Sequence, residues 1–495
     1  MLSKRILVFV VIGLLLGSFC SLEAKEDMEG WKKAGYFTLG EINGRKTLID
    51  PYGKPFYADG MVYAYGPEGI PGKEKSTLEE VMSELETIKK HGFNTIDLYG
   101  SDYLDEILAW CDVNEIALYP RTSYGGIRGL SPERREFPDF MDPNFRVQVK
   151  SYYDFYLRRI REHQCIMAVD MDQRWLFGVD WKADIRLGDP RLGPHAIKAL
   201  PKWLKDKYKQ IDNLNEVWGK KYPGFSDVLD DDQIISNGRV VSLKDHPWRV
   251  DLIEYTLWTI TDFLKDLTGY MKKVDPNHLI TITTELPEVI PFPVSTVENS
   301  GIDFLSPVHY NYLTDFNRDW IGAARLIFRT KFNSDLVGGS PVFINETGFR
   351  TSALNQSPPN MAYAMGKEGD EGFIAKMYLD QVALMNSLPW MSGWGFFKWF
   401  DKYMEGDFGY IRANGSLKPI SELGKIVTPL LPVNWTAEKA PKVLLYYPKY
   451  FLASQRAGSN QYKSFISFLE NDYLSNYKKI VSEMYGVIQK KGTGA

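Results

Sequence analysis

Short continuous apolar runs alternate along this chain with longer stretches in which apolar residues recur every three or four positions. The first pattern predicts strands of a parallel sheet buried on both faces, and the second predicts helices laid over it. The apolar runs fall at 61–65, 93–99, 116–120, 175–179, 279–284, 302–306, 341–344 and 391–397. Helical spacing covers 77–91, 103–113, 144–163, 205–218, 248–274 and 373–387. Eight strands, most of them separated by helices, predict the α/β class and within it a (β/α)8 barrel. The first helix is the best specified. Thr77 and Glu80 form a capping box, Val81, Leu85 and Ile88 share one face, and Gly92 follows the last turn.

Both ends of the chain depart from this alternation. Around the turn Asp50-Pro-Tyr-Gly53, residues 36–61 predict a short strand pair that leads into the barrel. After about residue 430 a strand at 442–447 and helices at 462–469 and 473–488 predict a small α/β appendage. Lys4 and Arg5 precede an apolar run at 6–16 that ends in small residues near Ala24, the pattern of a secretory leader. That run is too short to span a bilayer. The expected organisation is a leader over 1–24, a barrel over 25–430 and the appendage over 431–495, with export to the periplasm or cell surface. Cys20 as a lipid anchor ranks second, because bulky Phe19 precedes it where a small residue is usual.

Composition narrows the chemistry. The 495 residues are 44% hydrophobic and 25% charged, with a net charge of −4 and no basic block, which excludes a nucleic-acid partner. Past the leader only Cys111 and Cys165 remain, too few for a disulfide framework and expected as buried small hydrophobes. The six histidines are scattered, and no phosphate loop, dinucleotide fingerprint, HExxH or GxSxG occurs, so neither a metal nor an organic cofactor is expected. Aromatic residues reach 14%, with 13 Trp and 29 Tyr, which suits either a large core or a cleft that stacks on sugar faces.

The candidate chemistry sits at strand ends, where barrel enzymes carry it. Ser340-Pro-Val-Phe-Ile-Asn-Glu-Thr-Gly-Phe349 reads as a buried strand ending in Glu346, a nucleophile candidate whose plain alternative is a loop or capping acid. Asp180 and Asp184 follow the run at 175–179 and would give the second carboxylate of a glycosidase pair, or else ion-pair with Lys182 and Arg186. Trp394 and Trp399 would floor a sugar subsite or belong to the core. Arg121, His309 and Tyr310 lie at strand exits and suit recognition of hydroxyls or carboxylates. A tyrosine beside the strand-6 exit would also hydrogen-bond the nucleophile and tune its ionisation.

These residues resemble the retaining glycoside hydrolases of the (β/α)8 superfamily called clan A. Phe343-Ile-Asn-Glu-Thr-Gly348 is similar to their strand-7 nucleophile segment, and by that resemblance Glu346 is the nucleophile. The stretches at 48–61, 85–98 and 406–419 resemble their entry strands, first helix with second strand, and segment after strand 8. Asp206-Lys-Tyr-Lys-Gln-Ile-Asp-Asn-Leu-Asn-Glu-Val-Trp-Gly219 is similar to a helix of the family 42 β-galactosidases. The clan usually ends strand 4 with Asn-Glu, whose Glu is the acid/base. Aligned on Gly178, this chain has Ala183-Asp184, so Asp184 takes that role by resemblance, with Asp180 and then Glu285 as fallbacks.

Three readings follow. The first is an exported glycoside hydrolase that cleaves a poly- or oligosaccharide by a retaining two-carboxylate mechanism. The second, motivated by the altered strand-4 pair, is an inactive barrel that binds glycan. The third is a structural barrel of an envelope complex, without a deep cleft at the strand C-termini. No transmembrane span is expected once the leader is removed.

Overall fold

The computed structural model describes residues 30–42, 45–64, 76–100, 102–121, 139–171, 193–231, 234, 247–284, 300–310, 326–327, 329–331, 333–335, 337–348, 371–401, 408–412 and 414–422. Three short antiparallel strands come first: β1 (Thr38–Ile42), β2 (Arg45–Ile49) and β3 (Pro55–Phe56). The expected strand pair is therefore a three-stranded sheet, because the turn at Asp50 folds Pro55 and Phe56 back onto β2. Asp50 holds that turn by accepting from the backbone N–H groups of Tyr52 and Lys54.

Eight parallel strands then close into a barrel, in sequence order with the last joined to the first. They are β4 (Ala58–Ala64), β5 (Thr95–Tyr99), β6 (Ala117–Arg121), β7 (Val169–Asp170), β8 (Ile280–Thr284), β9 (Phe304–Pro307), β10 (Val342–Thr347) and β11 (Met391–Phe396). Closure runs through β11 and β4, where Trp394 pairs with Asp59 and Phe396 with Met61. The described helices are α1 (Leu78–Lys90), α2 (Leu104–Asn114), α3 (Pro143–Ile160), α4 (Pro194–Tyr208), α5 (Ile211–Trp218), α6 (Pro247–Val274) and α7 (Glu371–Ser387). In α1 the capping box forms as the spacing requires. The Thr77 hydroxyl accepts from the Glu80 backbone, the Glu80 carboxylate accepts from the Thr77 backbone, and Val81, Leu85 and Ile88 are buried. Among the described residues, no helix is long and apolar enough to cross a membrane.

The fourth strand departs from expectation. It lies at β7, upstream of the run at 175–179, and those residues are outside the described set. Cys165-Ile-Met-Ala-Val-Asp-Met171 follows α3 after a four-residue turn and is itself an apolar run. Its backbone bonds both neighbours: Met167 N–H donates to Leu118 O at 2.8 Å, and Val169 and Met171 donate to Leu279 O and Thr281 O at 2.8 and 2.9 Å. Of two adjacent apolar runs, the one nearer the preceding helix takes the slot. Asp180 and Asp184 thus stand ten and fourteen residues beyond Asp170, not directly at the end of the fourth strand.

The helix expected at 205–218 is two helices. α4 begins earlier, at Pro194, and ends at Tyr208. Lys209 takes a positive φ of 65° and Gln210 is extended, so α5 starts on a new axis. These two helices and the start of α6 bury Leu200, Leu204, Leu214, Trp218, Leu252 and Tyr255 in a cluster separate from the main core. Asp251 ties it together, accepting from Lys207 Nζ at 2.6 Å, Tyr208 OH at 2.5 Å and Trp218 Nε1 at 2.7 Å. The main core joins barrel and helices and takes in the later half of α6, including Phe263, Leu264, Leu267 and Met271. Cys111 and Cys165 are buried free thiols in that core. The appendage expected over 431–495 lies outside the described residues.

Candidate active site

β10 delivers Glu346 to the C-terminal mouth of the barrel. Along a regular strand, neighbouring side chains face opposite sides. Here the pairing of β10 with β11 is irregular between Ile344 and Thr347. Asn345 reaches Thr283 Oγ1 across the barrel, whereas Thr347 Oγ1 accepts from Gln381 of α7 in the helix layer. Glu346, between them, points into the mouth. Gly348 lets the β11 exit close over this turn. A Cβ there would lie 2.2 Å from Phe397 O, a distance no side chain tolerates.

The Glu346 carboxylate is 4% exposed and surrounded by donors from three other strands. Tyr99 at the end of β5 donates its hydroxyl to Oε1, and the Arg121 guanidinium at the end of β6 pairs with the same oxygen at 2.8 Å. Tyr310, three residues past β9, donates to Oε2 at 3.0 Å. The main chain joins in: His309 N–H donates to Glu346 O at 2.8 Å. Burial, reinforced by the Glu346 charge, pushes the Tyr310 phenol well above its usual range and keeps it a donor.

Arg121 is fully buried and shared between two carboxylates. Its Nε and Nη2 donate to the two oxygens of Asp97 at 2.8 and 2.6 Å, a bidentate pair, while Nη1 faces Glu346. Nη2 also donates to Asn345 O at 3.2 Å, and the guanidinium carbon lies 4.4 Å from the Tyr99 ring centre. Burial pushes the Asp97 carboxyl up to about 7 against the pull of Arg121, with the charges of Glu346 and Asp170 adding to the rise. Asp170 is a third carboxylate inside the barrel, but Thr283 satisfies it from backbone N–H and hydroxyl at 2.8 and 2.6 Å.

The residues singled out from sequence separate into groups. Glu346, Arg121 and Tyr310 come together. Arg121 recognises carboxylates, but they are the protein's own. His309 joins the site through its backbone and is buried at 1% exposure. Asp180, Asp184 and Glu285 lie outside the described residues.

Both tryptophans are buried and packed in the main core. Trp394 is 0% exposed, with Phe93 and Tyr378 edge-on at 6.4 and 5.5 Å; Trp399 is 2% exposed and stacks on Tyr410 at 5.8 Å beside His91. In β11 the side chain at 394 faces the helix layer, because it shares a sheet face with α7. Replacing Trp394 by alanine should therefore cost stability, about 3–5 kcal/mol for a large buried ring, measured as a urea midpoint. Among the described residues, Phe397 lies beside Tyr310 at the mouth, partly buried and edge-on to it at 5.9 Å, with Phe408 at 5.7 Å from Phe397.

Asp97, Tyr99 and Phe397 went unread in the sequence. Asp97 had a usable signal: a lone acid in the apolar run 93–99 is a buried polar group, which demands a partner.

A closed parallel barrel with a buried, arginine-paired glutamate at a strand end carries its polar groups at the C-terminal mouth, where barrel enzymes place their chemistry. Residues 134–371 match the family model described as β-galactosidase, glycoside hydrolase family 42. Over that stretch the chain is similar to a glycoside hydrolase domain, and the surrounding fold is a closed (β/α)8 barrel. Over 203 residues it is 24% identical to a β-galactosidase of Arthrobacter sp, an alignment covering 38% of this chain and 26% of that protein. Two solved agarases share the fold. One, an exo-β-agarase, has a TM-score of 0.56 at 16% identity over 80% of this chain and 65% of that one. The other has a TM-score of 0.58 at 14% identity over 85% and 69%. A β-galactosidase from the psychrophilic Marinomonas ef1 gives a TM-score of 0.54 at 12% identity over 75% and 59%. The chain spans about a quarter of the curated relative it matches.

Proposed function

We propose that this protein is an exported retaining glycoside hydrolase acting on β-galactosides within a poly- or oligosaccharide. The observation that carries this reading is the placement of Glu346. It is a carboxylate at the mouth of the barrel, paired with Arg121 and oriented by the hydroxyls of Tyr99 and Tyr310. Such a group is a nucleophile for an anomeric carbon. The galactoside comes from the relatives, which are named as β-galactosidases and agarases. Export rests on the leader pattern over 1–24.

In this mechanism a Glu346 oxygen bonds to the anomeric carbon as the glycosidic C–O bond breaks. The leaving oxygen takes a proton from the acid, assigned by resemblance to Asp184 with Asp180 as the fallback. Water then attacks the glycosyl-enzyme, the same acid accepts its proton, and Glu346 leaves as carboxylate. Phe397 offers an apolar face to the sugar. A fluorinated mechanism-based inhibitor, 2-deoxy-2-fluoro-β-galactosyl fluoride, tests the reading directly. Peptide mapping should find one adduct, on the peptide carrying Glu346. A label on another carboxylate would remove Glu346 from its role, and no turnover of aryl β-galactosides or agaro-oligosaccharides would favour the inactive glycan-binding barrel.

A further inference from the structure

The Asp97 side chain is wholly buried, and it accepts two hydrogen bonds from the guanidinium that faces Glu346. Both Asp97 and Arg121 have side chains at 0% exposure, so neither charge is relieved by water. A cation held between two carboxylates is divided between them, and a change in one alters its pull on the other. During a retaining reaction the charge on Glu346 disappears when its oxygen bonds to the anomeric carbon and returns when water releases the sugar. We infer that Asp97 is a positioning residue for this reaction: it fixes Arg121 against Glu346 and is the standing counter-charge that keeps Arg121 compensated while Glu346 is esterified. This inference rests on the proposed retaining role of Glu346.

The arrangement has two consequences. With Glu346 esterified, Arg121 would be a buried cation without a partner were Asp97 absent, so the glycosyl-enzyme would be harder to form. With Glu346 free, the share of Arg121 taken by Asp97 leaves the nucleophile less neutralised. Among the described residues, the charged and titratable groups around Asp97 and its guanidinium are Tyr99 on β5, Arg121 and Tyr119 on β6, Asp170 on β7 and Glu346 on β10. Burial raises the Tyr119 phenol, which stays neutral, and Thr283 satisfies Asp170. Among the described residues, Asp97 is therefore the carboxylate besides Glu346 that pairs with Arg121, and its proton competes directly for that cation. Its carboxyl is raised by burial, so it is protonated in acid and ionises as pH approaches neutrality.

Asp97→Asn keeps the shape and removes the charge. The full-length protein, assayed on an aryl β-galactoside, should lose about 10–100-fold in kcat/KM, the size usual for a partner that orients a charged group in a site. The inhibition constant for galactose should change little. The acidic limb of kcat/KM should move to lower pH, because ionisation of Asp97 no longer contributes to it. Asp97→Glu, which keeps the charge, should restore part of the rate and the position of the limb. An unmoved limb in Asp97→Asn, or a rate loss matched by an equal loss of galactose affinity, would reduce Asp97 to a structural role. Should Asp97→Asn fail to fold, the limb measured in Asp97→Glu decides: a limb still at its wild-type position supports the inference, and a lost limb with a retained charge overturns it. A wild type that is inactive on all glycosides, or labelled away from Glu346, overturns the proposed function instead. An active wild type labelled at Glu346 with an indifferent Asp97→Asn overturns this inference alone.

Discussion

Glu346→Ala lowers turnover of an aryl β-galactoside by on the order of 10⁴–10⁶-fold, the cost of removing the nucleophile from a catalytic unit that works as a whole. Binding of galactose changes far less, because the lost oxygens act on the anomeric carbon. The variant keeps its fold, since Arg121 retains the bidentate pair with Asp97. Azide should restore activity: a small anion fits the space the carboxylate vacates and attacks from the same face, giving a glycosyl azide of inverted configuration. Steady-state rates with and without azide, and the configuration of the product by NMR, check all of this. Residual activity above a few per cent, without azide, would remove Glu346 from the nucleophile's role.

Arg121→Ala has a large expected effect on stability. It leaves Asp97 and Glu346 facing each other in the barrel interior with their shared cation gone. Breaking a buried ion pair in this way costs about 3–5 kcal/mol, because an uncompensated charge stays behind. The cost is one of charge more than of packing, so it can be reversed. Adding Asp97→Asn and Glu346→Gln to Arg121→Ala should recover much of the loss, as neither neutral amide needs a cation. Arg121→Lys should not, because a point charge cannot reach both oxygens of Asp97 and Glu346 together. Urea denaturation of the four proteins at one pH measures the effect. Equal stabilities of Arg121→Ala and the triple variant would show that packing, not charge, holds this part of the barrel.

Where a pattern was local, it could be read. Thr77 and Glu80 cap a helix through contacts three residues apart, and Val81, Leu85 and Ile88 share a face whatever the rest of the chain does. The run before Glu346 is a buried strand on its own evidence. Where two solutions competed, the sequence did not decide. The runs 165–171 and 175–179 both suit a fourth strand, and the choice depends on the distance from α3 and on pairing with Leu118 and Thr281. The tryptophans misled for a related reason. Trp394 sits on a strand that leads to the mouth, but only the facing of β11 toward α7 puts its ring in the core, while Phe397, three residues on, reaches Tyr310. Asp97 and Arg121 stand on adjacent strands 24 residues apart, a contact invisible until the barrel closes.

One helix crosses a border that the fold sets up. α6 has 28 residues, about 42 Å at the usual rise per residue. Its start, at Trp248, Leu252 and Tyr255, is packed into the separate helical cluster, and its later turns, from Ile260 to Met271, into the main core. Local opening follows packing, so a single rod need not open as one piece. In native-state hydrogen exchange the amides near Leu252 should exchange together with those of α4 and α5, and those near Leu267 only when the barrel itself unfolds. The step in protection along this one helix, between residues 255 and 260, marks where the helical cluster ends and the barrel begins.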